Sequence, residues 1–142
     1  MSAFTTKVDV RFGDVDPAGI VYFPRIYEYL HEAFEDVWEQ HVGERYYRMI
    51  QDERRGFPLV HSEVDFKHPL RFGDEVEVRV TCTKLGNSST TLRYRLFVGE
   101  TLCVHAVQTT ACVDLDAGKA IPMTDRHRAR FALILESAES TA

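Results

Sequence analysis

An α+β fold, with one long helix laid against a curved and mainly antiparallel sheet, is what the order of periodicities in this chain predicts. Three observations carry the prediction. Apolar residues recur at helical steps through Ile26, Tyr29, Leu30, Ala33, Phe34, Val37 and Trp38. After Pro58 the pattern changes to runs rich in Val, Thr, Tyr and Phe, over 59–66, 75–85, 90–98 and 101–114. Gly73-Asp74, Gly86-Asn87-Ser88 and Gly99-Glu100 separate these runs by short reversals, so the last three strands form an antiparallel meander. A helix with one apolar stripe, followed by such a meander, buries the stripe against one face of the sheet.

Each element has its own signal. Thr5 to Phe12 alternates with β-branched positions and reads as a first strand, followed by a loop of Gly, Asp and Pro. Pro24 suits the first turn of the long helix, because its missing N–H has no helical partner to lose. Arg25, Glu28, Glu32, Glu35, Asp36 and Glu39 fall on the side away from the stripe, where the helix meets water or a polar partner, and Gly43 ends it. A second, shorter helix is expected from Glu44 to Arg55, with Tyr47 and Ile50 turned inward and Gly56 as its stop. After the Asp116-Ala117-Gly118 turn, Thr124 to Leu135 predicts a C-terminal helix. Residues 1–136 make a single domain, and the Ser/Ala/Thr tail over 137–142 is expected to fray.

Composition narrows the function classes. A chain of 142 residues, 44% hydrophobic and 11% aromatic, builds one core. Its net charge of -5, with both signs interspersed, lacks the basic stripe of a nucleic-acid binder. Cys82, Cys103 and Cys112 are odd in number and lack C-x-x-C spacing, which points to buried free thiols and a reducing compartment. No apolar run of signal-peptide or membrane-span length occurs, so a cytoplasmic protein with no membrane partner is expected. His31, His41, His61, His68, His105 and His127 show no metal-ligand spacing, and no phosphate-cradling glycine motif is present.

The chemistry concentrates in Phe12-Gly13-Asp14-Val15-Asp16-Pro17-Ala18-Gly19-Ile20-Val21-Tyr22-Phe23-Pro24. Pro17 holds Asp16 extended, and Gly19 allows a turn or a close backbone approach. N–H groups just ahead of Pro24 lie at the positive end of the helix, where an anion or a developing oxyanion is stabilised. Taken alone, Asp-Pro-Ala-Gly also suits a solvated turn. Asp14 reads as an exposed loop carboxylate, with a bias on the proton affinity of Asp16 as the other reading.

This stretch resembles the signature of the 4-hydroxybenzoyl-CoA thioesterase family of hotdog-fold proteins. Phe66-Lys67-His68-Pro69-Leu70-Arg71-Phe72-Gly73-Asp74-Glu75-Val76-Glu77-Val78 is similar to that family's strand, turn and strand after the central helix. The resemblance implies a hotdog fold hydrolysing an aromatic or short-chain acyl-CoA with no metal or organic cofactor. It implies paired sheets, active sites at the dimer interface, and a homodimer that doubles to a homotetramer. Asp16 falls on the family's catalytic aspartate, acting as nucleophile or as base on water. The N–H of Phe23 falls on the oxyanion donor, with Gly19 shaping the loop backbone.

Other residues are candidates for substrate contacts. Tyr22 and Phe57 stand near the motif edges, where an acyl pocket is expected, and His61 lies on a strand entering the cleft. Lys119 precedes Ala120-Ile121, where the family places a basic CoA contact, although a lysine after a turn is commonly just solvated. Lys84, Ser88 and Ser89 occupy the region where the family clusters cations around the nucleotide, and most of that charge is missing here. Arg126, Arg128 and Arg130 alternate along the last helix, as a solvated face or as a phosphate clamp. A hotdog dehydratase is disfavoured, since Pro17-Ala18-Gly19-Ile20 replaces the histidine such enzymes use. A non-catalytic acyl-CoA sensor or assembly subunit is the remaining alternative.

Overall fold

In the computed structural model, which describes residues 3–136, five strands form one antiparallel sheet around a central helix. Strand β1 covers Phe4–Asp9, β3 Leu59–Phe66, β4 Glu75–Leu85, β5 Ser89–Val98 and β6 Thr101–Ala111, in the spatial order β1-β4-β5-β6-β3. A three-stranded ribbon of β2 Arg55–Gly56, β7 Val113–Asp114 and β8 Lys119–Ala120 lies beside it. The expected meander is β4, β5 and β6. Val78 pairs with Leu96 and Leu96 with Val104, which puts like faces in register and lines the inner side with buried aliphatics.

Helix α1 spans Pro24–Asp36, with Pro24 at its first position. It widens into a π-helical segment, Val37–Val42, which Gly43 closes at φ 88, a left-handed conformation that suits glycine. All seven residues of the sequence stripe are buried, from Ile26 through Trp38, and they share one hydrophobic cluster with the inner face of the sheet. Trp38 packs edge-on against His127 and Phe131 and tilts against Phe57, so it locks the central helix to two later elements. Among the described residues no helix is long and apolar enough to cross a membrane.

Two expectations need correction. The second helix is only one α turn, α2 Tyr46–Arg48, running into a π segment, Met49–Glu53. Its buried anchor is Met49, whereas Tyr47 is 69% exposed. The arginines of α3, Asp125–Ala132, neither face water alone nor leave a free clamp. Arg126 pairs with Glu44 at 2.9 Å, Arg128 donates to the Gly86 and Asn87 carbonyls at 2.6 and 2.9 Å, and Arg130 donates to the His41 carbonyl. They fasten α3 to carbonyls and a carboxylate from segments distant in sequence. Thr124 caps the helix by accepting from the His127 N–H at 3.1 Å. The three cysteines are free and buried, and burial pushes each thiol up from its ordinary value. The tail over 137–142 lies outside the described residues.

Candidate active site

The loop between β1 and α1 folds back on itself. The Asp16 N–H donates to the Ile20 carbonyl at 2.9 Å, the Gly19 N–H to the Asp16 carbonyl at 2.9 Å, and Val15 bridges Val21. Gly19 stands at φ 83, where a side chain would strain the backbone. The segment after β3 supports the loop from outside: the Val21 N–H donates to Leu70 O at 2.8 Å, and Ile20 bridges Arg71. The two sequence motifs therefore meet in space. Asp16, half-buried, keeps one carboxylate oxygen on the Ala18 N–H at 2.9 Å, the local turn expected of an Asp ahead of Pro.

Asp14 departs from its expectation. It is half-buried, and its Oδ2 accepts from the Tyr29 hydroxyl at 2.7 Å and from the Arg11 N–H at 3.0 Å. Burial, then the Asp14 hydrogen bond, pushes the Tyr29 hydroxyl well above its ordinary value, so it stays a donor. Asp14 thus staples the loop to the buried face of α1. No short-range sequence pattern announces this pair, which is 15 residues apart.

At the start of α1 the backbone donors are nearly all spent. The Tyr22 N–H donates to Asp14 O, the Arg25 N–H to Tyr22 O and the Ile26 N–H to Phe23 O, while Pro24 has none. Among the described residues the Phe23 N–H has no protein acceptor. Phe23 lines an apolar cavity of about 310 Å³, walled also by Ile20, Ile26, Phe66, Leu70 and Val104. A second cavity, about 390 Å³, lies at the Pro58 end of β3, with Tyr27, His31, Phe34, Tyr46, Phe57 and Gln108 on its walls.

The remaining candidates are spread out. Tyr22 is exposed and packs on Phe23 at 5.5 Å between ring centroids. Phe57 is buried and reaches the second cavity. His61 bonds Glu63 at 3.1 Å across one face of the edge strand, the face opposite Ser62 and Val64. Lys84, Ser88 and Ser89 lie at the β4–β5 reversal, where the Ser88 carbonyl accepts from Cys112 N–H, and Lys119 is exposed on β8. These four are not gathered with Asp16 in one protomer: the β4–β5 reversal and the Phe66 end of β3 pair with opposite ends of β6.

Residues 10–131 match the model of the thioesterase-like superfamily. The chain belongs to that superfamily. Its similarity extends to curated relatives named 1,4-dihydroxy-2-naphthoyl-CoA hydrolase. The protein of Gloeothece citriformis is 36% identical over 63% of this chain and 62% of its own length, so the match spans under two thirds of that relative. The protein of Nostoc punctiforme is 31% identical over 79% of this chain and 75% of its own. Among solved structures, a 1,4-dihydroxy-2-naphthoyl-CoA thioesterase from Synechocystis superposes with a TM-score of 0.83 at 27% identity, covering 92% of this chain and 96% of that one. A gentisyl-coenzyme A thioesterase superposes with a TM-score of 0.79 at 28% identity, covering 91% and 99%. The superfamily and these superpositions establish the hotdog fold, a more general assignment than the 4-hydroxybenzoyl-CoA family that the motif resembles.

Proposed function

We propose that this chain is an acyl-CoA thioesterase acting on a hydroxylated aromatic acyl group, with Asp16 as the catalytic carboxylate and the Phe23 N–H as oxyanion donor. The observation that carries the reading is the unspent Phe23 N–H at the start of α1, on the same folded loop as Asp16. A thioester carbonyl needs a nucleophile on one face and a donor where its oxygen becomes negative. Asp16 either attacks the carbonyl carbon, releasing CoA thiolate and leaving an anhydride that water opens, or takes a proton from the attacking water. Both routes consume one water and yield the free acid and CoA. The thiolate is a good leaving group, so neither route requires a dedicated general acid.

The site is completed by a second protomer. Strand β3 is an open edge, and Leu59, Val60 and Phe66 along it are exposed. Antiparallel pairing of two such edges sets the Phe66 end of one protomer beside the Pro58 end of the other. The cavity at Phe23 then faces the partner's aromatic cavity, whose rings suit a planar acyl group and whose His31 and Gln108 offer polar contacts to ring hydroxyls. The relatives' names, hydrolases of dihydroxynaphthoyl-CoA and gentisyl-CoA, support the same acyl class. A homodimer is the functional unit and a tetramer its doubled form.

Thiol release from dihydroxynaphthoyl-, gentisyl-, 4-hydroxybenzoyl-, short-chain and medium-chain acyl-CoAs tests the reading. The expected result is a higher kcat/KM for the hydroxylated aromatics than for any aliphatic thioester. Tight binding of acyl-CoA with no turnover would replace the enzyme by a sensor.

A further inference from the structure

The arginines of α3 are committed, and within one protomer Lys84 and Lys119 are remote from Phe23. Arg126, Arg128 and Arg130 hold α3 in place. Lys84 and Lys119 are exposed, away from the Phe66 end of β3 in the same protomer. A different group of basic residues sits at that end. Lys67 and His68 line the cavity beside Phe23, and Arg71 follows in the same turn, its backbone bridged to Ile20 of the catalytic loop.

That turn is held firmly. The N–H groups of Lys67 and His68 both donate to Cys103 O at 2.8 and 3.1 Å, and the Arg71 N–H donates to Asp74 Oδ2 at 2.7 Å. All three residues are exposed, and none forms an ion pair among the described residues. In a chain of net charge -5, Lys67 and His68 on the wall of one apolar cavity, with Arg71 further along the same turn, gather basic side chains at its mouth.

We infer that Lys67 and Arg71, with His68 between them, hold the phosphate groups of the CoA thioester whose carbonyl lies at Phe23. The inference rests on the acyl-CoA reading above. The apolar cavity accepts the pantetheine arm, and the anionic end of the carrier meets the rim. Arg71 supplies a planar fork for two phosphate oxygens, and Lys67 a compact charge. Both are positioning residues, acting on the carrier and not on the acyl carbon.

The test compares one acyl group on two thiols: CoA, and N-acetylcysteamine, which has no phosphate. The readout is the ratio of kcat/KM for the two thioesters. In the Lys67→Ala, Arg71→Ala double variant the ratio falls about tenfold, as two solvent-accessible charge contacts predict. Lys67→Glu lowers it in the same direction, and high salt lowers the wild-type ratio toward the variant's. Lys7→Ala is the control, since Lys7 is on β1 and paired with Glu75, and its ratio stays at the wild-type value. A wild-type ratio in the double variant, with both thioesters turning over, overturns the inference. A wild type that hydrolyses neither thioester refutes the thioesterase reading instead. Calorimetric titration with CoA then decides the phosphate contact: weaker binding by the double variant supports it, and equal binding overturns it.

Discussion

Removing the hydroxyl of Tyr29 measures how firmly the loop between β1 and α1 is stapled to the central helix. Tyr29 is 4% exposed, and its hydroxyl meets a carboxylate oxygen that also accepts the Arg11 N–H. A hydrogen bond to a charged group contributes about 1.5–3 kcal/mol, and Asp14 is only half-buried, so the low end applies to Tyr29→Phe, about 1.5 kcal/mol. For a chain of this length that lowers Tm by about 5 °C. Asp14→Ala costs more, about 2–3 kcal/mol, because it leaves the buried hydroxyl without an acceptor. Asp16→Asn behaves differently: its side-chain oxygen can still accept from the Ala18 N–H, so stability stays within about 0.5 kcal/mol of wild type. Thermal melts run beside thiol-release kinetics on the three variants separate a staple from a catalytic group. Asp14→Ala loses stability and part of kcat, whereas Asp16→Asn loses kcat at a near-constant Tm. Tyr29→Phe melting with wild type, or Asp14→Ala matching Asp16→Asn in kcat with no loss of Tm, would rule out the staple.

Stability should fall in two acid steps. Burial, with Arg93 and Arg95 beside it, holds His105 below its ordinary 6.5, so the unfolded chain takes up this proton first and stability declines as pH drops below about 6.5. Burial opposes the ionised form of Glu136, but hydrogen bonds from Arg93 and Thr81 outweigh it and hold the carboxyl below its ordinary 4.5. Its contribution is present above about 4.5 and is lost as pH falls through the depressed value; melts of Glu136→Gln across pH lack this second step. Val60→Lys puts a charge into the exposed edge of β3 and should weaken the proposed dimer at least about tenfold in sedimentation equilibrium, with activity falling alongside. A variant that stays dimeric, or an active monomer, counts against the two-protomer site.

Much of this molecule is legible in the sequence because its strongest signals are local. The stripe from Ile26 to Trp38 spans over three turns and fixes the phase of α1, and β3 and β4 begin and end where their alternation does. The stretch from Glu44 to Arg55 is too short to fix its phase, and a π segment rotates Met49 rather than Tyr47 into the core. Asp14, Arg128 and Arg130 were not legible because each takes a partner from another element, 15 to 89 residues away. The contact between the Lys67–Phe72 segment and the loop before α1 is likewise a property of the folded chain, made where Ile20 bridges Arg71.

The most direct test of the central claim is single-turnover thiol release from a hydroxylated aromatic acyl-CoA by wild type and by Asp16→Asn, at matched folding and matched oligomeric state. Rapid release by the wild type and a loss of at least about a hundredfold in the variant, with substrate still bound, are expected. Release by Asp16→Asn at the wild-type rate would contradict the claim and move the chemistry to another residue.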